Sequence, residues 1–243
     1  MIAASPAQTA PVQPGRLGLI LEIALVMGVL ISTKLIFDQV AWKYAGPISL
    51  AFTLATIGVI TCLRKESWSS FGLRRLRRWW SFPLILPQGL LATIAIIGIG
   101  AGTAYLGDFL GFWSVEGDAE GVEARWGNIQ GNLPVYLTWL AIAWTSAAFG
   151  EEIFFRGYLI DRVGKLLPDA RWASFVSILI PALIFGIAHA YYQGIQGLFT
   201  TGMIGLALGA LYLLNKRNLW PNILAHGIVD TLAFTAMYLN LDI

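Results

Sequence analysis

Runs of apolar residues, each about as long as a bilayer is thick, alternate along this chain with short polar connections. A hydrocarbon core about 30 Å thick needs about 20 apolar residues at 1.5 Å per residue. Runs of that size lie at 17–37, 46–63, 82–106, 133–156, 172–191, 194–214 and 219–240. The pattern predicts an all-α polytopic transmembrane bundle of about seven spans. Between the second and third runs, "RKESWSSFGLRRLRRWW" (64–80) holds six Lys/Arg against one Glu. Its Trp and Leu spacing predicts an amphipathic helix lying at the interface. The chain then divides into a polar, Pro-rich, disordered tail over 1–16, N-terminal membrane helices with the basic segment over 17–132, and a helical core over 133–240.

Charge gives the bundle a direction. The 64–80, 161–171 and 215–218 connections are basic, whereas 107–132 carries Asp108, Glu116, Asp118, Glu120 and Glu123 against Arg125 alone. Basic connections stay in the cytoplasm. This places the N-terminus inside and the C-terminus outside, with a cytoplasm-facing cavity expected. Composition agrees with an integral membrane protein: 57% of residues are hydrophobic and 12% charged, against about 25% charged in soluble domains. A formal charge of +2 gives no footprint for nucleic acid. The single cysteine, Cys62, excludes an internal disulfide and a cysteine-based zinc cluster.

Ionisable groups at membrane depth are costly and are functional candidates by default. They cluster here. "SAAFGEEIFFRGYLI" (146–160) sets Glu151 and Glu152 side by side in an apolar run, and both histidines, His189 and His226, lie in later runs with Asp230 four residues after His226. Glu151 lies 18 residues before Asp169 and His189 lies 20 after it, so a hairpin turning there brings both to roughly 27–30 Å from the turn. His226, nine residues past the 215–218 turn, reaches that depth only if the 161–171 hairpin protrudes. At 100° per residue, Glu152 shares a face with Arg156, Phe185 with His189, and His226 with Asp230. Glu152 and Arg156 then form a structural pair, and Glu151, about 100° away, presents its carboxylate to the interior. Glu22, in the first run, reads as a helix-packing or lipid-interface residue.

Two chemistries fit these residues. Glu151, His189, His226 and Asp230 could ligate a zinc-like ion whose bound water becomes a nucleophile. Alternatively, without metal, Glu151 and His189 polarise a water while His226 and Asp230 support the tetrahedral oxyanion. Both hydrolyse a peptide bond. Two readings from other classes compete: a non-catalytic scaffold regulating another membrane protein, with the polar cluster as helix glue, and a small ion or proton transporter. The second lacks the paired broken helices of transporters.

The motifs themselves resemble a known family. "EEIFFR" fits EExxxR, "FGIAH" (Phe185 to His189) fits FxxxH and "HGIVD" (His226 to Asp230) fits HxxxN/D, in that order. The chain resembles the CPBP (Abi) family of intramembrane proteases, which includes type II CAAX prenyl endopeptidases and bacteriocin-processing and self-immunity enzymes. The resemblance implies Glu151 as catalytic glutamate, Glu152 as partner of Arg156, His189 as a second water-activating or metal-binding group, and His226 with Asp230 as oxyanion or ligand pair. It further implies a peptide or membrane-protein substrate, lipidated or not, cut near the cytoplasmic face of a bacterial cytoplasmic membrane. Asp230 stands where the eukaryotic-type pattern has Asn, and a carboxylate donates no hydrogen bond unless protonated. That favours ligation, or orientation of His226, over a direct donor role.

Overall fold

The computed structural model describes residues 14–75, 82–115 and 119–241. The expected disordered tail lies outside the described residues up to residue 13, as do 76–81 of the basic segment and Glu116 and Asp118 of the acidic connection. The described residues form helices and no strands. In chain order these are α1 (Arg16–Val40), α2 (Ala45–Leu63), α3 (Phe82–Phe109), the short α4 (Ala119–Trp126) and α5 (Leu133–Ile142). A π-helical segment (Ala143–Leu159), α6 (Ile160–Leu166), α7 (Ala173–Leu214) and α8 (Trp220–Leu239) follow. Five helical stretches are long and apolar enough to cross a membrane: Arg16–Val40, Trp42–Leu63, Pro83–Phe109, Leu133–Leu166 and Ala173–Leu214.

The 42-residue α7 would be about twice the bilayer thickness if straight. It is not straight. Gly194 has φ 63° and ψ −158°, a conformation open essentially to glycine alone, and the two halves fold back on each other. Gly209 faces Ile178, Gly205 faces Ala182, and Gly202 faces both Ala182 and Gly186. Residues equidistant from Gly194 thus meet, as an antiparallel hairpin requires. The missing side chains let the two backbones approach closely: a Cβ on Gly205 would stand 3.1 Å from the Ala182 Cα. Counting α7 as two and adding the 20-residue α8 gives about seven spans.

The basic segment departs from expectation in its described part. Instead of an amphipathic helix on the interface, Trp68–Phe71 makes a 3-10 turn that inserts Phe71, fully buried, into the core beside Phe154 and Tyr158. Its neighbours are tied to the entry into α8, where Leu219 N donates to Gly72 O (3.1 Å) and Trp220 Nε1 to Arg74 O (2.8 Å).

One end of the bundle is held by a buried ion network. Arg162, 1% exposed, donates from Nε to Glu22 (2.8 Å), from Nη1 to Asp161 (2.9 Å) and from Nη2 to Glu66 (2.7 Å). Arg64 also pairs with Glu22, and Arg217 bridges to Asp161 (3.2 Å). Glu22 is therefore a network member joining α1, α2 and α6, which is more than the packing role its sequence position suggested. Each carboxylate in this layer faces at least one guanidinium, so charge is buried only in compensated form.

The glycine requirement at the α7 turn is directly measurable. Gly194→Ala should lower unfolding stability in detergent by about 1–3 kcal/mol; a denaturation midpoint equal to that of the unaltered chain would contradict the hairpin geometry.

Candidate active site

The Asp161–Arg217 bridge sets the depth of everything beyond it. Glu152 lies nine residues before Asp161, and His226 nine residues after Arg217. Running away from the same layer, the two helices bring them to one level: His226 Nδ1 lies 3.0 Å from Glu152 Oε1. The α6–α7 connection follows the bridged layer along the chain.

Glu152 is fully buried and ties its own helical segment to α8. Its Oε1 accepts from Arg156 Nη1 (2.8 Å) as well as facing His226, and its Oε2 accepts from Asn222 Nδ2 (3.2 Å). Asn222 also donates to the Leu208 carbonyl (2.9 Å), which fastens α8 to the second half of α7. The Arg156 guanidinium lies 4.6 Å from the Phe185 ring centroid, a cation–π contact. Phe185 in turn packs edge-on to His189 at 4.5 Å, and its carbonyl meets His189 Nδ1 at 2.8 Å. The pairing of Glu152 with Arg156 read from the sequence is present. Glu152 additionally holds His226, a tertiary contact between residues 74 apart for which local spacing carries no signal.

The local winding differs from an ordinary helix. Glu151, Glu152 and Arg156 lie within the π-helical segment, so the 100° step does not describe their facing. Such i→i+5 winding is rare and concentrates at functional sites. Gly150 and Gly157 let it pack tightly: a Cβ on Gly150 would stand 3.0 Å from Leu50 Cδ2, and one on Gly157 2.8 Å from the Phe71 carbonyl oxygen.

Glu151, Phe185, His189, His226 and Asp230 all line one cavity of about 820 Å³. Glu151 is only partly buried, and no hydrogen bond to it is made by a described residue. His226 Nε2 lies 3.8 Å from Asp230 Oδ2, while each histidine has Nδ1 engaged, by Phe185 O and by Glu152. Among the described residues no three His, Cys, Asp or Glu side chains converge as ligands for one metal ion. The arrangement of these side chains therefore does not fit the zinc set expected from the motif residues.

The cavity occupies the half of the bundle remote from the ion network. Its walls include Lys34 and Asp38 near the end of α1, Gly46 at the start of α2, Arg125 of α4 and Tyr191 beside the α7 turn. With the basic end in the cytoplasm, as the positive-inside rule expects, the cavity end of the bundle would face the opposite side.

Two participants escaped sequence reasoning. Asn222 had an available signal, since Asn222, His226 and Asp230 follow one another at intervals of four on α8. Arg125 had none, because nothing in the sequence places the acidic connection over the cavity.

Comparison with known proteins supports the motif reading. Residues 133–232 match the family described as type II CAAX prenyl endopeptidase Rce1-like. No curated protein and no solved structure matches the chain. The matched segment contains the π-helical segment, α6, α7 and the first part of α8, and with them every motif residue. It suggests a protease embedded in the membrane, acting on a peptide or protein substrate in a lipid environment.

The buried Glu152–Arg156 pair and the open Glu151 should respond differently to substitution. Arg156→Ala leaves Glu152 buried without its guanidinium and should cost about 3–5 kcal/mol of stability. Glu151→Gln removes no described hydrogen bond and should stay within about 0.5 kcal/mol. Equal losses in chemical denaturation of the purified variants would reject this division.

Proposed function

We propose that this membrane protein, whose residues 133–232 match the Rce1-like type II CAAX prenyl endopeptidase family, is an intramembrane endopeptidase with Glu151 as general base. The observation that carries this reading is the contrast between the adjacent acids. Glu152 is saturated by Arg156, His226 and Asn222, whereas Glu151 opens on the cavity shared by both histidines.

In the proposed reaction, Glu151 takes a proton from a water held between it and His189. The hydroxide oxygen forms a bond to the scissile carbonyl carbon, and the carbonyl oxygen becomes an oxyanion. His226, its Nδ1 committed to Glu152, offers Nε2–H to that oxyanion, with Asp230 beside that same nitrogen (3.8 Å). Collapse breaks the C–N bond, and the proton on Glu151 passes to the leaving amine. Glu152, Arg156, Asn222 and Phe185 position these groups. The substrate is a peptide or membrane-protein segment, with lipidated chains admitted by a cavity whose lining is mostly apolar side chains.

Cleavage of a panel of lipidated and unlipidated peptides by the purified chain tests the reading. Glu151→Ala and His189→Ala should each lower kcat by about 10²–10⁴ while the protein stays folded, and a strong chelator should leave the rate unchanged. Chelator-sensitive cleavage restored by zinc would replace the glutamate mechanism with a metal one. A phenotype that survives both substitutions would instead identify a scaffold, and charge movement in proteoliposomes without cleavage a transporter.

Orientation has its own experiment. The positive-inside rule places Gln130, near the cavity end, outside and Asp169, in the basic connection, inside. In a Cys62→Ser background, Gln130→Cys should react with a membrane-impermeant maleimide in intact cells and Asp169→Cys only after permeabilisation. The reverse pattern would return the cavity to the cytoplasmic side.

A further inference from the structure

Tyr192 carries a hydroxyl that no described residue uses. Tyr136, Tyr191 and Tyr212 each have a hydroxyl partner, in Thr235, Arg125 and the Phe71 carbonyl, whereas the Tyr192 phenol makes no hydrogen bond to a described residue. It lines the cavity with Glu151, His189, His226 and Asp230, and the charges of Glu151 and Asp230 both bear on it. His189 lies three residues earlier on α7, so the two side chains share a face, with ring centroids 5.7 Å apart.

The ring, by contrast, is fixed. Trp126 meets it edge-on at 5.4 Å and Tyr191 at 5.2 Å, and the Arg125 guanidinium lies 4.7 Å from its centroid. Arg125 is 7% exposed and has no described carboxylate within ion-pair distance, so the faces of Tyr192, Trp126 and Trp139 are its main compensation. The helix α4 also sits directly on the Tyr192 carbonyl, leaving no room for a Cβ at Gly121. A phenol with a clamped ring and a hydroxyl open to the cavity is a preorganised donor, which needs no rearrangement when charge develops in front of it.

The proposed reaction is short of such a donor. His226 Nε2–H serves the oxyanion, but Asp230 lies beside that same nitrogen (3.8 Å), and a carboxylate donates no hydrogen bond unless protonated. One imidazole N–H next to a negative charge leaves a developing oxyanion poorly stabilised. We infer that Tyr192 is a further catalytic residue: its phenol O–H donates to the carbonyl oxygen as that oxygen becomes the oxyanion, alongside His226. The proton stays on Tyr192 throughout, so the donor is ready for the next turnover. The inference deepens the endopeptidase reading and rests on it for the reaction; Tyr192 belongs to none of the three motifs.

Tyr192→Phe removes the hydroxyl and keeps the ring contacts, so it tests the donor on the full chain in detergent. With the fastest-cleaved peptide of the panel, kcat should fall by about 10²-fold while KM and the denaturation midpoint are unchanged. A phosphinate isostere of that peptide, whose tetrahedral oxygens stand in for the intermediate, should bind the variant more weakly by about the same factor. A kcat unchanged in Tyr192→Phe overturns the inference and leaves the protease standing. A loss shared between KM and the midpoint, with phosphinate binding lowered no more than peptide binding, makes Tyr192 a structural residue and also overturns it. No cleavage of any peptide by the unaltered chain overturns the protease and the donor together.

Discussion

A single carboxylate, buried in the middle of the bundle, fixes the relation among the helices that make the cavity. An ion at this depth is tolerated only when opposite charge and hydrogen bonds replace water, and Glu152 meets that condition with partners from two elements. Arg156 comes from its own helix, while Asn222 and His226 come from α8. The third helix joins through the same cation, because the Arg156 guanidinium stacks against Phe185, whose ring and carbonyl hold His189. The orientation of both imidazoles thus traces back to the solvation of one acid. In lipid, where apolar burial between helices gives little driving force, such polar contacts contribute a larger share of the specificity of packing.

The depth of that carboxylate is set from elsewhere. Arg162 and its carboxylates tie α1, α2 and α6 at the basic end, and Asp161 to Arg217 joins the start of α6 to the connection before α8. Equal chain lengths from that bridge carry Glu152 and His226 to one level. The glycine-faced hairpin of α7 brings the first half of that helix, with Phe185, against its second half, with Leu208. Two compensated charge layers and one close-packed hairpin therefore define the register. The cavity opens where neither layer reaches, on the side of α4 and the α7 turn.

What the sequence disclosed follows from the range of the interactions involved. Span positions were legible because hydrophobic length is a property of contiguous residues, and the break near 191–194 was visible although the backbone reversal at Gly194 was only implied. The pairs Phe185–His189 and His226–Asp230 were legible because i,i+4 neighbours on an α-helix meet whatever the tertiary structure does, whereas Glu152–Arg156 forms within π-helical winding. Contacts that depend on packing were not. Glu22 looked like a solitary lipid-depth acid until α2 and α6 supplied guanidinium groups, and the basic segment looked interfacial until Phe71 found a slot beside Phe154. The π-helical segment was equally hidden, since no spacing rule distinguishes i→i+5 from i→i+4 over a run this apolar. Charge patterning gave a direction for the chain but not the end of the bundle on which a cavity would open.

The doubling of acids in "GEEIFF" is best understood by counting lone pairs. Catalysis by a carboxylate requires one oxygen that can accept a proton from water, and stability at this depth requires that buried charge be bound by donors. One residue cannot do both: a glutamate that takes Arg156, His226 and Asn222 has its acceptor capacity committed, and a glutamate left open cannot fasten α8 to its own helix. Adjacent positions resolve the conflict, because consecutive side chains on one winding point in different directions while sharing the same depth. Glu152 satisfies the membrane's demand, and Glu151, one residue away and facing the cavity, is left with acceptor capacity for chemistry.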